Sequence, residues 1–204
     1  MVAPKRRTPR SYLPAEERRS QLLAAGAELA GKRGWDALGM VPLAETAGVS
    51  RQLVYEHFEN LQTLRLEVTH YLFEQMFEAA AEALERFPDD LAAALRAAVR
   101  LQLELPPGAR LALGRMVSGS VGSNDALRRL RASVRQRVTE VWATAIRRHA
   151  RVDLREARAL AWMMTVASWT LFDLVADGTF TPDQAADFYV VTTLGAIAAL
   201  ESRA

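Results

Sequence analysis

From Pro14 onward, apolar residues recur at three- and four-residue spacings, and the two-residue alternation of a half-buried strand is nearly absent. This period confines the chain to an all-α fold, since only a helix gathers such a stripe on one face. Glycines, prolines and capping residues cut the pattern into about nine helices. Pro14 with Glu16 and Glu17 opens the first, and Leu22, Gly26, Leu29 and Ala30 give it one inward face before Gly34. The second spans about 40–47 and stops at Gly48. Ser50 caps the third, about 51–58. Asn60 caps a long fourth that ends at Pro88, a fifth covers 89–105, and a sixth covers about 109–117 ahead of the loop "SGSVGSND". The seventh spans about 125–150. Capping boxes at Asp153/Glu156 and Thr181/Gln184 start an eighth helix, to Ala176, and a ninth, to about Ser202.

Composition narrows the class further. The 204 residues are half hydrophobic and a quarter charged, as in a soluble globular protein, and contain no cysteine. Disulfides, thiolate catalysis and Cys-based zinc sites are thereby removed, and a reducing cytoplasm is the natural compartment. The longest uncharged runs, 159–172 and 188–200, fall short of the ~18–20 residues of a membrane span. The basic start has no apolar segment behind it, so neither a signal peptide nor a membrane partner is expected. Net charge is +2, unevenly placed: residues 1–19 hold six Arg and Lys against two Glu, and the remainder sums to −2. An arm bearing Lys5, Arg6, Arg7 and Arg10 suits a polyanion such as DNA, although a solvated tail has the same composition.

The stretch "LAETAGVSRQLVYEHFEN" links the second and third helices. Its small and apolar positions fit a helix-turn-helix: Ala44 allows close approach, Gly48 makes the turn, and Val54 and Phe58 pack inward at i, i+4. Arg51, Gln52, Leu53, Tyr55 and His57 then fall away from the packed face. Arg and Gln can pair bidentately with guanine and adenine edges, and Leu53 can meet a thymine methyl.

With Gly34-Trp35 ahead of it and Leu64 behind, this stretch resembles the N-terminal region of the TetR family of bacterial transcriptional regulators. The resemblance covers roughly residues 15–65 and is carried by the Ala-Gly-Val-Ser turn and the Tyr-x-His-Phe end of the third helix. It implies a homodimer on double-stranded DNA, with a C-terminal domain that binds a small effector. Ser50, Arg51, Gln52 and Leu53 match the family's base-facing or groove-entering positions, and Tyr55 and His57 match those near phosphates. Gly39 stands where the family often has Thr, Pro42 replaces a polar residue, and Leu61 replaces a common phosphate-contacting Lys. The basic arm, with Arg18 or Arg19, is expected to make up the lost charge.

Enzymatic readings find little to stand on. Ser120 follows Gly119 but lacks the glycine two places earlier that a nucleophile elbow needs, and no phosphate-binding loop of G-x-x-x-x-G-K-[ST] form occurs. His149 and Asp153 share a face without a third ligand, which reads as a surface pair. The arginines between 128 and 151 are spread around their helix, as on a solvated face. No metal or cofactor is expected.

The sequence thus points to a cytoplasmic regulator, a repressor released by an apolar or aromatic effector, with residues 1–60 as its DNA-binding domain and 61–204 for ligand binding and dimerisation. Met76, Phe77, Met116, Trp142, Trp162 and Met163 are candidates for a pocket wall, and the same side chains would serve as core packing. Val166, Trp169, Phe172, Val191, Leu194 and Ile197 lie in helices too apolar all round for one-sided burial, which suits a dimer interface.

Overall fold

The computed structural model describes residues 14–118 and 125–203. It contains α1 (Ala15–Arg33), a 3-10 turn (Trp35–Ala37), α2 (Met40–Ala47), α3 (Arg51–His57), α4 (Leu61–Arg86) and α5 (Leu91–Leu103). These are followed by α6 (Pro107–Ser118), α7 (Asp125–His149), α8 (Leu154–Ser168), α9 (Leu171–Ala176) and α10 (Pro182–Glu201), with no strand among the described residues. The all-α reading therefore holds.

The expected eighth helix is described as two, α8 and α9. Trp169 and Thr170 keep right-handed helical angles, but their N–H groups bond three residues back, to Val166 and Ala167. Around them Thr165, Ser168 and Thr170 turn their hydroxyls onto backbone carbonyls three or four residues earlier, which tightens and bends a helix. The 154–176 stretch is long and apolar enough to cross a membrane by length and composition. It packs against α7 and α10 instead.

One core joins α1, α2, α3, the start of α4 and Ala112 of α6. Leu22, Leu43, Val54, Phe58, Leu64 and Val68 are wholly buried there, each side chain contributing roughly 1.5–3 kcal/mol. Two glycines set how close the helices come. A Cβ on Gly26 of α1 would lie 2.8 Å from Val68 of α4, and one on Gly108 of α6 would lie 1.6 Å from the Ala30 carbonyl oxygen. The second cluster lies between α4, α6, α7 and α8, and the third between α5, α7, α8 and α10. Helix α4 reaches from the first core into the second, so it ties the two ends of the chain together.

Candidate nucleic-acid interface and ligand cavity

The turn between α2 and α3 is fixed by backbone chemistry. Gly48 sits at φ 65°, ψ 33°, the left-handed region, and Val49 N–H donates to Ala44 O at 3.0 Å. These are the marks of a helix end closed by glycine. Ser50 then caps α3, its Oγ accepting from Leu53 N–H at 3.2 Å. Val54 and Phe58 anchor the helix in the core, and the opposite face carries exposed Arg51, Gln52 and Tyr55, with Leu53 and His57 half-buried at its edges. Gln52 Nε2 donates to Glu56 Oε1 at 3.2 Å, a surface contact that leaves the amide free to exchange partners. The structure therefore brings Ser50, Arg51, Gln52, Leu53, Tyr55 and His57 together on one short helix.

Arg19 does not join that face. Its guanidinium donates to the His57 carbonyl oxygen at 2.6 Å, pairs with Glu67 of α4, and lies 5.0 Å from the Phe58 ring centroid. A cation at the last carbonyl of α3 complements the negative end of the helix. Arg19 is thus a strut for α3, not a spare charge for phosphate. Arg18 donates to Gln21 at 3.1 Å. At the start of α2, Gly39 offers no side-chain cap, and Leu61 of α4 is 37% exposed. Arg6, Arg7 and Arg10 lie outside the described residues.

Below the helix-turn-helix, a cavity of about 270 Å³ opens between α4, α5, α6, α7, α8 and α10. Of the expected wall residues, Met76, Phe77 and Trp142 line it. Trp162 and Met163 do not: Trp162 packs from outside, with Arg131 and Arg135 5.5 and 5.6 Å from its ring centroid, and Met163 is 65% exposed. Both sit on α8 positions turned away from the lumen. The Met116 side chain lies outside the described residues.

The wall also includes residues outside the set expected for it. Trp169, expected at a dimer interface, lines the cavity, as do Gln102, Ser168 and Tyr189. Burial pushes the Tyr189 hydroxyl well above the usual phenol range, so it stays protonated. A signal for Gln102 was present: it continues the buried stripe of Leu95 and Val99 at helical spacing, a polar residue where an apolar one belongs. Beside the wall residue Phe77, Arg137 pairs with Glu74 and lies 4.5 Å from the Phe77 ring centroid. That hydrogen bond holds the Glu74 carboxyl below its ordinary range.

The candidate interface residues separate on folding. Phe172 and Ile197 are buried in the chain's own interior, each 5% exposed, because α9 and α10 turn them onto neighbouring helices. Val166 and Leu194 are half-buried and Val191 is 70% exposed. Phe188 and Met163 add to the apolar surface of α10 and α8.

Residues 22–68 match the family model described as bacterial regulatory proteins, tetR family. The chain is 40% identical over 87 residues to the HTH-type transcriptional activator FasR of Mycolicibacterium smegmatis, a match covering 43% of this chain and 39% of that relative. The chain thus spans about two fifths of the length of that curated relative. Among solved structures, the TetR family repressor AlkX from Dietzia sp. superposes with a TM-score of 0.60 at 22% identity, covering 93% of this chain and 97% of that one. The multidrug binding protein EbrR, complexed with imidazole, gives a TM-score of 0.62 at 21% identity over 86% and 94%. At such identities the likeness is one of fold.

Proposed function

This chain belongs to the TetR family of bacterial transcriptional regulators, and from that premise we propose that it is a repressor which binds a near-palindromic operator as a homodimer and is released by a small molecule. The observation that carries the DNA half is α3, anchored by two wholly buried side chains and presenting Arg51, Gln52 and Tyr55 outward. In this reading residues 1–60 form the DNA-binding domain. Ser50, Arg51, Gln52 and Leu53 meet base edges, Tyr55 and His57 meet phosphates, and the arm with Arg6, Arg7 and Arg10 adds sequence-independent attraction.

Residues 61–204 hold the effector and the partner subunit. The dimer reading rests on exposed Met163, Phe188 and Val191, apolar surface on α8 and α10 that a two-fold four-helix contact would cover. Val166 and Leu194 border that surface, whereas Phe172 and Ile197 act from within each subunit. The effector reading rests on the cavity, whose apolar and aromatic wall suits a ligand of the same character. AlkX is described as a repressor and FasR as an activator, so the sign of regulation is the part of this proposal that the reporter below tests. Action on DNA places the protein in the bacterial cytoplasm.

A gel shift with DNA from upstream of its own gene, paired with light scattering and a reporter driven by that DNA, tests the proposal. The expected results are a sequence-specific shift, a dimer, and reporter output that rises when the protein is deleted. A monomer at micromolar concentration defeats the dimer, and output that falls on deletion defeats repression.

A further inference from the structure

Resting on the reading of the cavity as an effector site, we infer that its ligand enters and leaves sideways between α4 and α5, through a window whose two lips are Gln75 and Leu101. Two observations lead there. First, among the described residues that line the cavity only these two are exposed, Leu101 at 46%, whereas the wall residues of α6, α7, α8 and α10 are buried or half-buried. A side chain that borders both the lumen and solvent marks where the two meet. Both lips lie on neighbouring helices, so they bound one opening.

Second, the seam between α4 and α5 changes along its length. Helix α4 ends at Arg86 and α5 starts at Leu91, so the packed pair runs antiparallel around a short loop. Counting away from that loop on both helices sets Ala83 opposite Ala94, Ala79 opposite Ala98, and Gln75 opposite Leu101. Ala83 and Ala94 are buried, so the seam is closed beside the loop. One turn further on, alanine again faces alanine, yet Ala79 and Ala98 are only half-buried and line the cavity. A methyl group reaches less far across a helix seam than any longer side chain, so what covers the gap at this level is Leu101 and Gln75. Exposed side chains change rotamer in picoseconds to nanoseconds, which lets these lips turn aside for a compact apolar molecule. The bulk at position 101 then sets how fast a ligand passes, and which ligands pass at all.

The chain has no cysteine, so Leu101→Cys carries a single thiol, and benzyl methanethiosulfonate places a removable benzyl group on it. Binding of N-phenyl-1-naphthylamine, an uncharged apolar fluorophore, to the full-length protein is followed by stopped flow through energy transfer from tryptophan, since Trp142 and Trp169 line the cavity. Capping is expected to slow the on-rate and the off-rate of Leu101→Cys by the same factor, about tenfold, with affinity unchanged, because an obstruction on the path alters neither the free nor the bound state. Reduction of the mixed disulfide should restore both rates. Ala81→Cys, at an exposed α4 position outside the wall, should bind the fluorophore equally fast with and without the same cap. Rates that ignore the cap at position 101 overturn the window while leaving the cavity an effector site. A slower on-rate with an unchanged off-rate is a loss of affinity; it makes position 101 wall and not passage, and also overturns the window. Equal slowing by the cap at position 81 overturns it as well. No binding of the fluorophore to the unmodified protein defeats the effector site itself, and the inference with it.

Discussion

Replacing Arg19 by Met separates a structural role from a DNA-contacting one. The sequence offers this residue or Arg18, together with the basic arm, as the charge that offsets Leu61; the structure gives the Arg19 guanidinium three partners inside the chain. The hydrogen bond to the His57 carbonyl is charge-assisted, a class worth about 1.5–3 kcal/mol. The pair with Glu67 is partly exposed, at 38% and 25%, and is worth about 0.2–1 kcal/mol. The contact with the Phe58 ring adds about 0.5–1 kcal/mol. One guanidinium serves all three, so they do not add in full, and Met keeps the buried stem. The expected loss is about 2–3 kcal/mol in urea denaturation followed by circular dichroism. Glu67→Gln, which removes only the ion pair, should lose about 1 kcal/mol or less. On DNA, the slope of log affinity against log salt should stay as in the wild type, because Arg19 neutralises no phosphate. A slope shallower by about 0.9, with stability changed by less than about 0.5 kcal/mol, would refute this assignment and restore Arg19 to the backbone of the operator.

Arg51→Ala and Gln52→Ala should each weaken operator binding by roughly 1–3 kcal/mol in a gel shift while sparing non-specific DNA; removal of residues 1–10 should weaken both and flatten the salt dependence. Gly108→Ala places a Cβ 1.6 Å from the Ala30 oxygen, so α1 and α6 must part, at a cost of about 1–3 kcal/mol or more. Its melting temperature should fall by about 2–4 °C for each kcal/mol. Glu74 has its folded pKa depressed, chiefly by the hydrogen bond from Arg137, so its stabilisation is present above about pH 4.5 and is lost as pH falls through the lower folded value. Stability measured across that acid range should lose part of its slope in Glu74→Gln, and an unchanged slope would count against the pair.

The sequence by itself determined the helices and the helix-turn-helix. Capping and glycine conformations are local: Ser50 caps α3, Asn60 caps α4, the Thr181–Gln184 box starts α10, and Gly48 takes the left-handed angle, all within a few residues of where the pattern placed them. The buried pair Val54 and Phe58 followed from spacing on one short helix, and so did the outward face that carries Arg51 and Gln52. Only the tertiary structure decided which apolar residues of the later helices face a cavity, the chain's own core or solvent. Helices α8 and α10 are apolar around much of their circumference, so periodicity gives no direction, and neighbours from distant segments choose it. Hence Trp169 turns to the cavity, Trp162 to Arg131 and Arg135, and Ile197 to the core. The same holds for Arg19, whose partners lie 38 and 48 residues away, and for the bond between Ser168 and Gln102, 66 residues apart. No local rule links residues at such separations; they meet only once the helices have packed.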